Sequence, residues 1–456
     1  MNARFLTALN LRRLPRWSRY ALAGAAALAF LGWLYLEFGW QHTVRLADGR
    51  EVTVLAVTYG TNHVFVDGPF WLQPARRFMS ASKALQLGLQ VHQRSSPYPS
   101  CMVWTRWHWP GTNGPPRFAS VMDRHGVEAQ PVFSPEYFPS QRKPEALVAW
   151  RWENFPRVQS RNLVRFYETD ARWEPVLQGE MQIRIPSGSR HRSNASPPPV
   201  RGTNGPLDVT LASLRYGEAA PINESRYRGL MSWPWTRIAF TVREGQQPSS
   251  SWSVRSLEAV GESGNHFLLP NFLELANVSL WTLWSPVLQR AEDRIDVSFQ
   301  DVLWRDEPGW KIITEFSRVK DYAPEELVAI PGIAASRTNP PFTTTLQLDT
   351  NGVIFQSVTL RGTQQIRRYV RGAYVPNFDL TLGFTSKVER VRVDLARAVD
   401  DRGRVLRFGD SQQPWKGKYT AALEIPYDSV KVDLTFAVHP SRFIEFRVRP
   451  NSDNRP

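Results

Sequence analysis

Four side chains with catalytic potential lie close together in one stretch of the sequence. Residues 431–450, KVDLTFAVHPSRFIEFRVRP, include His439, Ser441, Arg442 and Glu445. A histidine within reach of a serine hydroxyl, with an acid behind it, could support nucleophilic catalysis. The same stretch alternates apolar and polar residues, which is typical of β-strands. A catalytic cluster therefore has to be weighed against the closing strands of a β-domain.

The alternation favours the strand interpretation. It places Val432, Leu434 and Phe436 on one face of a strand, with Phe436 pointing inward. Pro440 lacks an amide proton and suits a connection between strands, so the sequence predicts a turn at residues 439–441 and a closing hairpin. In that hairpin the polar side chains lie in the turn and on the exposed face. No catalytic residue is assigned.

The wider search for chemistry finds no strong motif. The sequence has no HExxH helix motif, no paired cysteines, no carboxylate-rich calcium loop, no glycine-rich phosphate loop and no nucleophile elbow. We therefore predict no metal site and no cofactor. Enzymatic activity stays uncertain at this point, with a non-enzymatic protein favoured and a hydrolase less favoured.

Paired tryptophans are the feature that could bind a ligand. Residues two apart share a strand face, so each pair could form a flat platform on which a sugar ring stacks. The tentative glycan-binding residues are Trp107, Trp109, Trp150, Trp152, Trp233 and Trp235. Large aromatic residues also fill the cores of β-sandwiches that lack disulfides, and we favour that alternative.

Composition limits the class of protein. A chain of 456 residues is long enough for about three globular units. Its net charge of +14 comes mostly from arginine, whose side chain suits the phosphate or carboxylate groups of a nucleic acid, an anionic glycan or lipid head groups. We favour the alternative that the arginines are spread over a solvated surface. Because no short window concentrates this charge, nucleic acid is an unlikely partner. The single cysteine, Cys101, excludes an intrachain disulfide and is predicted to be a buried structural thiol.

An apolar segment near the N-terminus is the most specific signal. Residues 20–36, YALAGAAALAFLGWLYL, carry no charge, and the segment extends to Trp40 if the Glu37 side chain reaches the membrane edge. This length is enough for a transmembrane helix, and the arginines before it predict a cytoplasmic N-terminus with the bulk of the chain exported. We expect a single-pass anchor, residues 20–40, in the lipid of a bacterial inner membrane. A cleaved signal peptide is the alternative.

Strand patterns dominate the rest of the chain and predict an all-β fold. Short alternating runs, separated by turn residues, are typical of antiparallel β-sandwiches. Pro- and Ser-rich linkers at 186–206 and 331–341 divide these runs. The predicted organisation is a basic cytoplasmic arm at 1–19, a transmembrane anchor at 20–40, a juxtamembrane β-hairpin region at 41–98, and three tandem β-sandwich-like modules at 99–187, 206–330 and 342–450.

A weak internal repeat supports three related modules. The segments SVMDRHGVEAQP, AVGESGNHFLLP and AVDDRGRVLRFG each place a glycine where a tight turn is expected. The turn glycines are Gly126, Gly264 and Gly403, which are separated by 138 and 139 residues. Chance similarity between common hairpin turns is the alternative.

The segments LADGREVTVLAVTYGTNHVF and LTFAVHPSRFIEFRVRP together resemble uncharacterised membrane-anchored β-rich proteins of verrucomicrobial-type bacteria. The resemblance covers much of the exported region but implies no catalytic residues. The function expected from the sequence is therefore a membrane-anchored, non-enzymatic structural or interaction protein of the bacterial envelope, with an envelope protein or an anionic glycan as partner. An envelope glycan-binding protein that uses the paired tryptophans is the alternative.

Overall fold

The predicted all-β class is confirmed. Over the residues that it describes, the structure, a computed structural model, contains 28 strands in six sheets. It describes residues 16–38, 43–68, 80–109, 118–129, 136–139, 145–158, 161–170, 175–184, 194–218, 235–269, 273–274, 287–299, 302–335, 343–370, 373–387, 390–408 and 417–450. The sheets are arranged as three units, each with a five- or seven-stranded sheet and a smaller one.

Helix α1, Arg16–Phe38, contains the apolar segment 20–36. Over the residues that the structure describes, no helix combines the length and the apolar character that crossing a membrane requires. The transmembrane part of the predicted fold is therefore not supported by the structure.

Unit 1 contains nine strands. Its larger sheet has the order β1-β2-β3-β7-β6 and its smaller sheet the order β5-β4-β8-β9. The strands are β1 Thr43–Arg45, β2 Glu51–Asp67, β3 Gln90–His108, β4 Phe118–Met122, β5 Glu128–Ala129, β6 Glu136–Pro139, β7 Glu145–Trp152, β8 Arg161–Thr169 and β9 Pro175–Arg184, with helix α2 Ala81–Gln86 between β2 and β3.

Unit 2 repeats this arrangement. Its larger sheet has the order β10-β11-β12-β18-β17-β16, with β13 paired to β12, and its smaller sheet the order β15-β14-β19-β28. The strands are β10 Val200–Asn204, β11 Leu207–Glu218, β12 Trp235–Glu244, β13 Gln247–Pro248, β14 Trp252–Gly261, β15 His266–Leu269, β16 Leu273–Glu274, β17 Val287–Ala291, β18 Arg294–Phe299, β19 Trp310–Arg318 and β28 Arg442–Val448.

Unit 3 has the same plan. Its larger sheet has the order β21-β22-β23-β26-β25 and its smaller sheet the order β20-β27-β24. A short 3-10 helix, Pro324–Glu326, precedes it. The strands are β20 Leu327–Ala334, β21 Thr343–Thr350, β22 Val353–Val370, β23 Ala373–Ser386, β24 Val391–Asp400, β25 Arg407–Phe408, β26 Lys418–Glu424 and β27 Lys431–Pro440.

The three matched glycines occupy the same turn in each unit. Gly126 follows β4, Gly264 follows β14 and Gly403 follows β24, all with positive φ angles of 81°, 97° and 78°. Each glycine amide donates to the carbonyl three residues earlier, at 3.2, 2.9 and 2.9 Å respectively. Glycine suits this position because a side chain is strained at positive φ. The weak sequence repeat therefore corresponds to a repeated structural turn.

One feature departs from the repeat, because units 2 and 3 exchange their last strands. In unit 1, β9 follows β8 in the chain and pairs with it. In unit 2, β20 follows β19 but pairs with β27 of unit 3, whereas β28 follows β27 but pairs with β19 of unit 2. All three pairings are antiparallel. By analogy with β9, β20 would pair with β19 and β28 would pair with β27, but in the structure each of these two strands takes the place of the other.

This exchange contradicts the predicted closing hairpin. Strand β27 ends at Pro440 and β28 begins at Arg442, yet the two strands belong to different sheets. The alternation was interpreted correctly within β27, where Phe436 is fully buried in the core of unit 3. Local alternation does not reveal which strand a segment pairs with, and that choice decides between a hairpin and a crossing.

The predicted boundaries also differ from the sheets. The boundary between the 41–98 region and the first module falls inside β3, Gln90–His108, which pairs with β2 along most of its length. The residues from Thr43 onward therefore belong to unit 1. Cys101 lies in β3 and is fully buried in a hydrophobic core that runs through units 1 and 2, whereas unit 3 has its own core.

Candidate functional site

Buried polar side chains gather where the smaller sheets of units 2 and 3 meet. In β24, Val393 and Leu395 point into the core of unit 3, so Arg392 and Asp394 point out of the opposite face. In β27, Val438 points into the core, and the next residue, His439, joins that outer face. We name this group the interface cluster; it comprises Arg255, Ser256, Glu315, Arg392, Asp394, His439 and Ser441.

The centre of the interface cluster is an ion pair between the two units. Arg392 of β24 donates from Nε and Nη2 to the two carboxylate oxygens of Glu315 in β19, at 2.6 Å each. Ser441 donates to Oε1 and Ser256 to Oε2 of the same carboxylate, at 2.7 Å each. Burial by itself raises the pKa of Glu315, but the hydrogen bond and charge of Arg392 outweigh it and lower that pKa.

A second pair lies beside the first. His439 donates from Nε2 to Oδ2 of Asp394 at 3.0 Å, and both side chains are buried. Arg255 of unit 2 approaches the other carboxylate oxygen of Asp394 at 3.4 Å. Burial raises the pKa of Asp394, yet Arg255 and His439 bring it down to about 2. Asp394 therefore stays ionised. The centroid of the Tyr322 ring lies 5.3 Å from that of the His439 ring.

The geometry does not assemble a nucleophilic triad. The Ser441 hydroxyl donates to Glu315, whereas the His439 Nε2 atom is bonded to Asp394. A base that activates a serine must accept its proton directly, and His439 makes no hydrogen bond to Ser441. The Glu315 carboxylate does accept that hydrogen bond, but Arg392 lowers the pKa of Glu315 and so makes it a weak base. His439 and Ser441 are 2% and 7% exposed, so the prediction that they lie exposed in a turn is wrong. They are buried because the chain crosses at these residues from β27 of unit 3 to β28 of unit 2, where the smaller sheets of the two units meet.

The paired tryptophans lie mostly in the core. Trp107, Trp150 and Trp152 are fully buried in unit 1, and Trp235 is 1% exposed in unit 2. Trp107 and Trp150 both donate from Nε1 to the hydroxyl of Thr105, at 2.8 and 3.2 Å. A buried ring has no face for a sugar. Trp109 is partly buried against the same core, and Trp233 lies outside the described residues.

A second polar group lies at the junction of units 1 and 2, around the repeated turns. The Arg157 guanidinium of unit 1 stacks 3.5 Å from the centroid of the Tyr59 ring and donates to the Ser263 carbonyl of unit 2. In the other direction, Arg124 in the turn of unit 1 donates to Asp306 at 2.6 Å. The turns that repeat in sequence therefore also contribute to the contact between these units.

The turn of unit 2 lacks the aspartate found in the other two. In unit 1, Asp123 Oδ1 accepts amide protons from residues two and four positions later, and Asp400 does the same in unit 3. Unit 2 has Gly261 at this position, and a Cβ there would lie 2.5 Å from Glu307 Oε1. Glu307 accepts from the amide and hydroxyl of Ser263. A carboxylate 46 residues away therefore replaces the missing aspartate.

Neither polar group resembles a metal centre. Within the described residues, no three His, Cys, Asp or Glu side chains are placed to hold a metal ion. Sequence reasoning pointed to His439 and Ser441 of the interface cluster but missed their partners and the whole of the second group. Glu315, Arg392 and Glu307 occur in ordinary strand or turn segments with no motif around them.

Comparisons with known proteins add little. No family model matches the chain, and no curated protein matches it. A marsupial T cell receptor is among the solved structures that match, at 8% identity, with 76% of this chain and 95% of the receptor chain covered. Its TM-score of 0.14 is too low to carry an argument about fold or function.

Proposed function

We propose that this chain is a non-enzymatic structural or interaction protein of the bacterial envelope. In this proposal residues 20–40 anchor it in the inner membrane, the N-terminus is cytoplasmic, and units 1 to 3 are exported. The uncharged segment 20–36 and the arginines before it support the orientation. The partner is another envelope protein or an anionic glycan.

The observation that carries the proposal is the Glu315–Arg392 pair. Its two hydrogen bonds of 2.6 Å join strands of different units, and the nearby Asp394–His439 pair is buried in the same place. Charged side chains that could have served in catalysis hold two units in a fixed arrangement. Such an arrangement suits a protein whose task is to present surfaces at a defined separation.

The anchor is tested by membrane extraction. Leu28 lies in the middle of segment 20–36, and an arginine at mid-span costs about 2.5–3.5 kcal/mol on insertion scales. We expect the wild-type chain to resist carbonate extraction and Leu28→Arg to be released, with Leu28→Phe as the matched control. Protease added to spheroplasts should digest units 1 to 3. Wild-type protein that is extracted as readily as Leu28→Arg contradicts the anchor.

A further inference from the structure

We propose that a second copy of this chain can accept strand β28, so that β28 of one molecule pairs with β19 of the other. The partner surface is the free edge that β19 would present without β28, and the occupant is the segment Arg442–Val448 of another copy. This inference goes beyond the proposed function and does not depend on membrane anchoring.

The first argument is that β19 already pairs with a strand that follows unit 3 in the chain. By analogy with β8 and β9, the strand expected beside β19 is β20, which directly follows it. The structure places β28 there instead, in register from Trp310–Val448 to Phe316–Arg442. Exchange of identical structural elements is a low-cost route to dimers, because each contact can form within a chain or between chains.

The second argument is that β28 completes the core of unit 2. Ile444, Phe446 and Val448 point into that core and are at most 3% exposed, with Phe446 lying 5.7 Å from Phe240 between ring centroids. Gly202 of β10 leaves room for them, because a Cβ there would lie 2.4 Å from Ile444 Cγ2. Unit 2 without β28 would expose apolar surface and an open strand edge, which favours capture of the same strand from another molecule.

The third argument concerns the connection between donor and acceptor. A single residue, Ser441, separates β27 from β28, so unit 3 must travel with its strand. In the exchanged pair, Arg392 of one copy would then face Glu315 of the other, and the ion pair would form again between molecules. The two forms therefore share their strand pairs and ion pairs, and the segment that changes course between them is the connection 319–326, between β19 and β20. Concentration decides between them, because only one form joins two molecules.

Disulfide trapping tests the exchange directly. Lys311 and Arg447 lie opposite each other across β19 and β28 and both reach the surface. The full chain carrying both Lys311→Cys and Arg447→Cys should form an intrachain disulfide when dilute. The two single variants, unfolded together and refolded at high concentration, should form a disulfide between different chains, with a doubled sedimentation mass. Cys101 is buried and stays in every variant as a common background.

The controls separate exchange from random collision. Glu180→Cys on β9, refolded with Arg447→Cys, should give only background cross-linking because β9 pairs within unit 1. Should the Lys311 variant fail to fold, the next opposed pair, Ile313→Cys and Glu445→Cys, serves the same purpose. Intrachain disulfides at every concentration, with no link between co-refolded single variants, would overturn the proposal. So would a double variant that folds but forms no disulfide at all.

Discussion

Arg392 and Glu315 form a two-pronged ion pair across the boundary between units 3 and 2, and both side chains are less than 10% exposed. Two parallel hydrogen bonds between a guanidinium and a carboxylate fix orientation as well as distance. Because the pair is buried, neither charge can turn to water if its partner is lost. The consequences for stability are therefore asymmetric.

Removal of one partner of this ion pair should lower the free energy of unfolding by more than removal of both partners. We expect Arg392→Met to lower the free energy of unfolding by about 3–5 kcal/mol, since it leaves Glu315 buried without its counter-charge. The double variant Arg392→Met with Glu315→Leu should be much closer to wild type. Denaturant melts of the four proteins in a double-mutant cycle measure the coupling.

The control is an exposed pair on the same sheet. Glu445 lies 3.0 Å from Arg447, and their side chains are 41% and 65% exposed. Glu445→Ala should change stability by no more than about 1 kcal/mol. Equal losses at Glu445 and Arg392 would contradict the special contribution of the buried pair.

Acid should weaken the protein partly through Asp394. Its pKa is about 2 in the folded chain, against an ordinary value of 3.8. The folded state thus binds fewer protons, so Asp394 stabilises the fold above pH 3.8 and this contribution disappears as the pH falls towards 2. The difference corresponds to about 2 kcal/mol.

Comparison with Asp394→Asn isolates this effect. Unfolding melts between pH 5 and pH 2 should show a shallower acid dependence in the variant than in the wild type. Asp400, whose pKa is also about 2, is present in both proteins and cancels in the comparison. Identical pH slopes in the two proteins would show that Asp394 is not held ionised in this way.

The strand exchange determines which fragments of the chain can fold by themselves. The predicted third module, 342–450, lacks β20 and carries β28 without its partner β19. We expect this fragment to unfold without a cooperative transition. A fragment of residues 320–441 contains every strand of unit 3 and should fold. Circular dichroism melts of the two fragments distinguish them, and cooperative folding of 342–450 alone would contradict the exchange as a requirement for stability.

The sequence could predict which face of a strand is buried, but not which other strand it pairs with. Alternation within β27 correctly placed Phe436 in the core, and the spacing of Gly126, Gly264 and Gly403 matched a turn that recurs in each unit. The same local pattern is compatible with a hairpin or with a crossing at Ser441. The contacts that separate these possibilities, such as Ser441 with Glu315, join residues 126 positions apart. They depend on tertiary packing, which a single sequence does not display.

The tryptophans illustrate the same limit. Their spacing predicted that members of a pair share a strand face, but not whether that face is covered. Trp107 and Trp150 are buried because the smaller sheet of unit 1 packs over them, with Phe166 of β8 against both rings. Burial of an aromatic face depends on the opposite sheet, and no property of the pair itself indicates it.

Glu307 and Gly261 offer the sharpest test of the repeated turn. Glu307→Ala should destabilise the protein by about 1–3 kcal/mol, because Ser263 and Asn265 lose a buried acceptor. Gly261→Asp alone should also be destabilising, since its side chain would enter the space that the Glu307 carboxylate occupies.

The double variant should lose less stability than the sum of the losses of the two single variants. With Glu307 truncated, an aspartate at position 261 can accept the turn amides as Asp123 and Asp400 do in units 1 and 3. We expect a favourable coupling of about 0.5–3 kcal/mol in a double-mutant cycle measured by denaturant melts. Asp400→Ala, which removes the acceptor from the intact turn of unit 3, gives the cost of an empty position. Strictly additive losses at Gly261 and Glu307 would mean that Glu307 does not replace the missing aspartate, and that the three turns are alike in backbone shape alone.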